Sequence, residues 1–569
     1  MGGIIRIHEA ISGILSKEQL FVFCHDGFRR FFPILRKFFS FAALRVNTSP
    51  LPPIPRASGL EWRGGKGRRT PGTINSLFPS SPLIQKQQFS NTPHLSMKDS
   101  VSQRLIGKIR SGESFTRAEE LALVIRLSIP AILAQFANVL MQYIDAAMVG
   151  NLGAVEAAAV GIVSSTIWLF WGLGSAGITG YSVLASQEIG AKSYPTARKL
   201  LRQGITVAVA TGAILGAVGL MISPWLPGFL GAGADVAREG TKYFAIYTAA
   251  MPLLFLSYEA GSMLRASGNI RVPSFLNIFM CVEDVVFNYF LIFPTRLVTF
   301  LGFTFTMPGA GMGVAGAALG TVLAELCTAI PMLWYVCTRS PELAIRGEKG
   351  RFLPEFPLLK KAFKIGIPVG LQHTVMCCAQ VASTMIVAPL GTIAIAANSL
   401  AITAESLCYM PGYGVSDAAA SLTGQCIGAR RENLAMRFGK IAIATGLGVI
   451  TVMGVLMFIF APIMIGLMSN VPEIIDLGAT ILRIEAFAEP MFAASIVAYG
   501  VFMGAGDTLI PCLMNLGSMW FVRLPAAWLL ARTFGLKGVW IAMCGELIFR
   551  GMIFLLRFRS GKWLKHGKA

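Results

Sequence analysis

Carboxylates embedded in apolar runs are where this sequence can do chemistry. Asp145 stands in Met141-Gln-Tyr-Ile-Asp145-Ala-Ala-Met-Val-Gly150, fifteen residues beyond Pro130. Asp284 and Asn288 follow at i, i+4 in Cys281-Val-Glu283-Asp284-Val-Val-Phe-Asn288, so on a helix they share one face. Glu283 points about 100° away from that face. The C-terminal half repeats the spacing with Glu485 and Glu489 and adds Glu405 and Asp417. A charged side chain at the centre of a bilayer costs about 2.5–3.5 kcal/mol on insertion scales, so each of these needs a reason. One reason is reversible capture of a small cation, Na⁺ or a proton, since either event changes the local charge by one. Another is a negative field that draws a cationic ligand into a cleft. The plainer roles are a helix-end cap for Asp145, interhelical hydrogen bonding for Asp284 and Asn288, and ion pairs to Arg483 or Arg523 for the C-terminal acids. Gln372 and His373 form a further polar step, and a His there is either a titrating group or a simple polar contact.

The elements that carry these residues are membrane spans. The chain has 569 residues, of which 54% are apolar and only 14% charged. A soluble protein averages about 25% charged, so a water-soluble globule and an ordinary cytosolic enzyme are excluded. Apolar runs of about 20 residues suffice to cross roughly 30 Å of hydrocarbon. They fall near 121–148, 155–185, 200–223, 241–264, 271–294, 313–337, 360–387, 394–424, 440–468, 478–503, 508–531 and 538–557. Twelve spans give an all-α polytopic membrane protein. Lys and Arg outnumber Asp and Glu by 49 to 29, and the excess sits in the first hundred residues, in alternate loops and at the tail rather than in a nucleic-acid stripe. Lys192, Arg198, Arg265, Arg271, Arg346, Lys360, Arg430 and Arg557 lie on one set of loops, so both termini face the cytoplasm or its organellar equivalent. The ten Cys are scattered without a CxxC pair and read as small packing residues.

Residues 1–118 differ: they form a basic, Pro- and Ser-rich, acid-poor N-terminal extension, expected to be largely disordered. Two readings stand for it, an organellar transit peptide or a start placed upstream of a true Met97. The second fits a bacterial-type plasma membrane and the first a plastid or other organelle. From Met97 to Glu120 the text reads as an amphipathic lead-in to the first span.

Sliding the chain on itself by 238 residues aligns its landmarks. Pro130 falls on Pro368, Leu152-Gly153 on Leu390-Gly391, Gln187 on Gln425, and Ile189-Gly190-Ala191 on Ile427-Gly428-Ala429. Pro252 falls on Pro490, Gly268 on Gly506, Pro273 on Pro511 and Asn277 on Asn515. The chain is therefore expected to hold two homologous six-helix lobes in parallel repeat, 119–337 and 360–560, joined by a loop at 338–359 and followed by a basic tail at 561–569.

The boxes Leu264-Arg-Ala-Ser-Gly268-Asn-Ile-Arg-Val-Pro273 and Phe502-Met-Gly-Ala-Gly506-Asp507-Thr508-Leu-Ile-Pro511 resemble the L-R-G-x-G-D-T-x-x-P box of the multidrug and toxic compound extrusion (MATE) family, the first copy without the Asp-Thr. Val387-Ala-Pro-Leu-Gly391 and Gly424-Gln425-x-x-Gly428-Ala429 are similar to further family text. The resemblance covers roughly residues 118–560. It implies a secondary antiporter that exports cationic, amphipathic compounds against Na⁺ or H⁺ by rocking two lobes, with no other cofactor, no resident metal and no nucleic-acid partner, working in the bilayer as a monomer. It also implies that Asp145 matches the family's first-helix Asp and Thr321 its sixth-helix Thr. Asp145, Asp284, Asn288 and Thr321 then form the coupling site, a set of hard oxygen donors suited to Na⁺ or a proton, with transient Na⁺ at Asp145 and Asp284. In the DinF-like branch the fifth helix carries Asn and then Asp, whereas here Asp284 precedes Asn288. The NorM-like and eukaryotic branch has a Glu eight residues after the helix-seven Pro, where this chain has Met376, so the resemblance is closer to the DinF-like branch. Candidates for the substrate cavity are Gln135, Gln142, His373, Glu405, Asp417 and Glu489. The 25 Met and 38 Phe would suit a polyspecific lining.

No GxxxxGK[ST], HExxH or GxSxG occurs, which argues against an ATP-driven pump, a metalloprotease or a serine hydrolase. Two rivals remain. A lipid-linked or polysaccharide flippase of the same superfamily would line its cavity with Arg and Lys, whereas the charges here are mainly acidic. A membrane receptor that moves nothing gains no support from acid-bearing repeat halves.

Overall fold

The computed structural model describes residues 101–300 and 303–564. Over these described residues the chain is all-α and polytopic apart from one hairpin. Span 1 is Arg117–Gly150, span 2 Ala154–Gly190, span 3 Tyr194–Ile222, span 5 Arg271–Ile292 and span 6 Gly313–Thr338. In the second half span 7 is Phe356–Val387, span 8 Thr392–Gly428 and span 9 Glu432–Gly466. Among the described residues nine helices are long and apolar enough to cross a membrane, or ten with the pair Pro472–Glu485 and Glu489–Gly504, which bends by 59° and forms span 10. The 52-residue stretch Leu509–Ser560 would be about 78 Å long as one helix, far more than the bilayer core. It breaks at Gly535 (φ 58°, ψ −138°) into spans 11 and 12. Span 4 is two 16-residue pieces, Ala234–Ala249 and Met251–Ala266, each too short alone. Counted so, the described residues offer twelve segments for the twelve spans that the hydropathy pattern predicts.

Span 1 begins at a capping box. The Thr116 hydroxyl accepts from the Glu119 N–H at 3.3 Å and the Glu119 carboxylate accepts from the Thr116 N–H at 3.0 Å, satisfying donors that a helix start otherwise leaves open. Before it lies a lead helix, Val101–Ser111, with Leu105, Ile106 and Ile109 buried. The expected N-terminal extension of 1–118 is thus corrected over its described part, where the apolar side chains of 101–111 recur at helical spacing and dock. The transit-peptide and start-site readings of residues 1–96 lie outside the described residues. Between spans 5 and 6 an antiparallel hairpin pairs β1 (Pro294–Phe300) with β2 (Phe303–Ala310). Hydropathy gives only a plain loop there, although Phe303-Thr-Phe-Thr alternates at the strand period.

The 238-residue offset holds in the backbone. Lys192 and its mate Arg430 both take positive φ, 62° and 56°, which side-chain-bearing residues rarely do. Gly268 and Gly506 do likewise, at 87° and 82°. Span 1 lies along span 8 and span 2 along span 7. At the Lys/Arg-rich end spans 2 and 8 cross each other, tightly and nearly two-fold. A Cβ at Gly190 would overlap the Gln425 carbonyl, and one at Gly428 the Gln187 carbonyl. Gln187 Nε2 donates to Gly504 O at 3.2 Å, and Gln425 Nε2 donates to Ala266 O, the repeat image, at 3.1 Å. Arg110 of the lead helix spans the seam. Its guanidinium donates to Ser267 O (3.0 Å), to Glu342 Oε1 in the connecting loop (2.6 Å) and to Gln425 Oε1 (3.3 Å). Arg431 returns the contact, donating to Lys108 O at 2.9 Å and Glu113 O at 2.7 Å. The two halves are closed against each other at this end.

Candidate cation site and central cleft

Span 5 places Asp284 and Asn288 on one buried face, 0% and 1% exposed. Span 1 brings Asp145 to them. Asn288 Nδ2 donates to Asp145 Oδ1 at 2.9 Å and to Asp284 Oδ2 at 3.0 Å. The two carboxyl groups also adjoin each other, and Thr321 of span 6 adjoins Asp284. Thr321 Oγ1 donates back to Ala317 O at 3.3 Å. The approach of spans 5 and 6 depends on small residues, since a Cβ at Gly320 would overlap Asn288 Oδ1. Asp145 lies five residues from the end of its helix, about 8 Å, and Asp284 eight residues from the end of its own, about 12 Å, so both stand in the outer half.

Apolar residues seal the cluster on two sides. Outward lie Val149, Ile292 and Ala317, with Tyr243 packed on them. Inward lie Met280, Cys281 and Ala324, with Met141 and Phe287. Asp284 Oδ1 and Asn288 Oδ1 are buried without a hydrogen-bond partner. Buried oxygens left open cost free energy, and two adjoining carboxylates repel. Both penalties fall when one small cation enters. Oxygen donors from a carboxylate pair, an amide and a hydroxyl suit Na⁺ or a proton. Glu325 of span 6, which the sequence reading does not single out, adjoins Ser257 and lies within electrostatic reach of Asp284. Its spacing of i+4 from Thr321 is the available signal. Among the described residues no His/Cys/Asp/Glu group is arranged to hold a resident metal.

The remaining candidates do not gather at one place. Asp417 faces Arg265 across the two halves at 3.9 Å. Both line a small polar cavity of about 70 Å³ with Thr179, Ser182, Tyr258 and Ser421. Gln135 is half-buried and Gln142 exposed on span 1, and His373 is exposed on span 7 beside Gly172 of span 2. Gln372 turns to the Met376 sulfur. Glu405, Glu485 and Glu489 are buried in the second half at 7%, 0% and 1% exposure, the last two without hydrogen-bond partners. The partners considered for them are engaged elsewhere. Arg523 pairs with Glu546 at 3.2 Å, and Arg483 donates to Phe458 O at 3.3 Å. Glu546 is held bidentately by Arg550, at 2.8 and 2.7 Å, and accepts from Ser518.

Known proteins agree with this architecture. The MatE family model matches residues 130–290 and 368–529, two copies whose starts are 238 residues apart. A "Probable multidrug resistance protein NorM" of Thermotoga maritima is 27% identical over 452 residues, covering 78% of this chain and 93% of that protein. The Vibrio cholerae MATE transporter VcmN, solved in its bent form, superposes with a TM-score of 0.69 at 19% identity, over 82% of this chain and 98% of that one. A MATE protein solved in complex with MaL6 superposes with a TM-score of 0.73, also at 19% identity, over 81% and 99%. The two-fold family match spans more than half of the residues, and this multi-pass integral membrane protein belongs to the MatE (MATE) family.

Proposed function

We propose that this protein is a secondary antiporter that exports cationic, amphipathic organic compounds in exchange for Na⁺ or H⁺. The observation that carries the reading is the set Asp145–Asn288–Asp284, a half-buried and a buried carboxylate on one buried amide, with open oxygens and apolar residues on two sides. One cation entering there cancels the repulsion between spans 1 and 5, so occupancy biases the packing of the first half. Lobes at 119–337 and 360–560, joined by 338–359, then expose the space between them alternately to the two sides of the membrane. The buried Glu405 and Glu489 of the second half supply a negative field for cationic cargo, while Asp417, paired with Arg265, and Gln135, Gln142 and His373 offer polar contacts elsewhere between the halves. NorM and other MATE relatives, named for multidrug resistance, support this cargo and a plasma-membrane location. Met376 in place of a helix-seven Glu, together with the acids of the first half, supports the DinF-like branch. A single chain holds a complete site, which supports a monomer as the working unit.

The test is transport in everted vesicles loaded with a fluorescent lipophilic cation, with a Na⁺ gradient and a pH gradient imposed separately. Dye movement under one gradient, lost in Asp145→Asn at equal expression, supports the antiporter and names the ion. Movement that survives the substitution shifts coupling away from Asp145. No movement under either gradient removes multidrug export.

A further inference from the structure

The repeat makes each half a control for the other. Tyr181 on span 2, Gln203 and Gly204 on span 3 and Glu259 on span 4 correspond, 238 residues on, to Ala419, Ile441, Ala442 and Val497. Ala419, Ala442 and Val497 belong to the buried apolar core of the second half, and Ile441 packs on it. The fold therefore accepts hydrocarbon at all four places. In the first half three of them hold polar side chains instead, and Tyr181, Gln203 and Glu259 are each 0% exposed. The Tyr181 hydroxyl, both amide atoms of Gln203 and both carboxyl oxygens of Glu259 have no hydrogen-bond partner. Gly204 is part of the arrangement, because a Cβ there would overlap Glu259 Oε1.

Among the described residues no basic group compensates Glu259. Arg202, next to Gln203, donates to Glu348 O at 3.2 Å, and Arg265 faces Asp417. The surroundings are apolar, with Leu200, Val207, Ala260 and Met263 in the same cluster as Tyr181. An unpaired carboxylate in such a place is strongly unfavourable, whereas one positive charge beside it removes the penalty. Glu259 lies seven residues from the cytoplasmic end of span 4, about 10 Å, on the opposite side of the membrane midplane from Asp145. Ser257, two residues earlier on another face of span 4, adjoins Glu325 instead.

We propose that Glu259, beside Tyr181, is an inner site for one monovalent cation, H⁺ or Na⁺, on the cytoplasmic side of the membrane midplane. It rests on the antiporter reading for its role in the cycle. A single carboxylate balances one charge, so the site takes a monovalent and not a divalent ion.

The test uses the purified full chain, without drug, so that it stands apart from any transport result. Glu259→Val, the residue of the repeat, and Glu259→Gln are compared with wild type by two readouts. One is the number of ²²Na⁺ ions bound at saturation, the other the infrared carbonyl band of a neutral buried carboxylic acid. A fall of about one Na⁺ per chain in both variants assigns Na⁺, and loss of a neutral-acid band with unchanged Na⁺ binding assigns the proton. Unchanged Na⁺ binding together with an unchanged infrared band, in either variant that elutes as a single species, overturns the site. A lower thermal midpoint with neither readout moved also overturns it, since that is the signature of mere packing.

Discussion

Asn288 donates its side-chain amide to Asp145 Oδ1 at 2.9 Å, across 143 positions of sequence. The same nitrogen reaches Asp284 Oδ2, so both of its hydrogens are taken by carboxylates. Replacing Asn288 by Leu removes the shared donor and leaves two adjoining acids to settle their repulsion alone. Gradient-driven dye export is expected to fall at least about tenfold, a loss of about 1.4 kcal/mol or more in the coupled step. Initial rates per unit of membrane protein check this, and Asn288→Asp, which adds a third charge, should be no better.

Gly320 offers a packing test of the same cluster. Ala at 320 would push on Asn288, and overpacking of a tight interior costs about 1–3 kcal/mol. Gly161 on span 2 has open space where its Cβ would stand, so Ala there should be neutral or mildly stabilising. Thermal unfolding in detergent should separate the two, with Gly320→Ala lower and Gly161→Ala level or higher.

The second half contains an ion network that should behave oppositely to a free acid. Glu546 is fully buried between Arg550 and Arg523. Glu546→Ala leaves two guanidinium groups unbalanced in the interior and should cost about 3–5 kcal/mol. Adding Arg550→Leu and Arg523→Leu to Glu546→Leu removes the charges together and should recover most of that loss, measured as the thermal midpoint of the purified protein.

Arg110 is held by three acceptors from separate parts of the chain. Hydrogen bonds involving a charged group contribute about 1.5–3 kcal/mol, so Arg110→Ala should loosen the lead helix. Trypsin is then expected to cut after Arg104 or Lys108 several-fold faster than in wild type, with cleavage elsewhere unchanged.

The spans and the repeat are legible in the sequence because hydrophobic length and a fixed offset are properties of the chain itself. Asp145, Asp284, Asn288 and Thr321 can be named from apolar context and family resemblance, and the structure brings them into one cluster. Asp417 is legible as an intramembrane acid, but its partner is not, because Arg265 comes from the other half. Glu546 and Arg550, i, i+4 in span 12, carry a helix-face signal, and it is this acid, not Glu485 or Glu489, that engages Arg523. The hairpin escapes a hydropathy reading because hydropathy says nothing of strand pairing outside the membrane. The unpartnered state of Glu259 is beyond reach, since only packing tells whether a buried acid has a neighbour.

The lead helix has a consequence for the order in which the molecule is made. It leaves the ribosome before any of the described spans, yet the residues it rests on come late. Gln425 is 315 positions away, and Phe438 and Trp563 share its apolar cluster. Its final seat does not exist until nearly the whole chain has been synthesised. A helix made ahead of every described span is then among the last to dock, and its docking marks the completion of both halves.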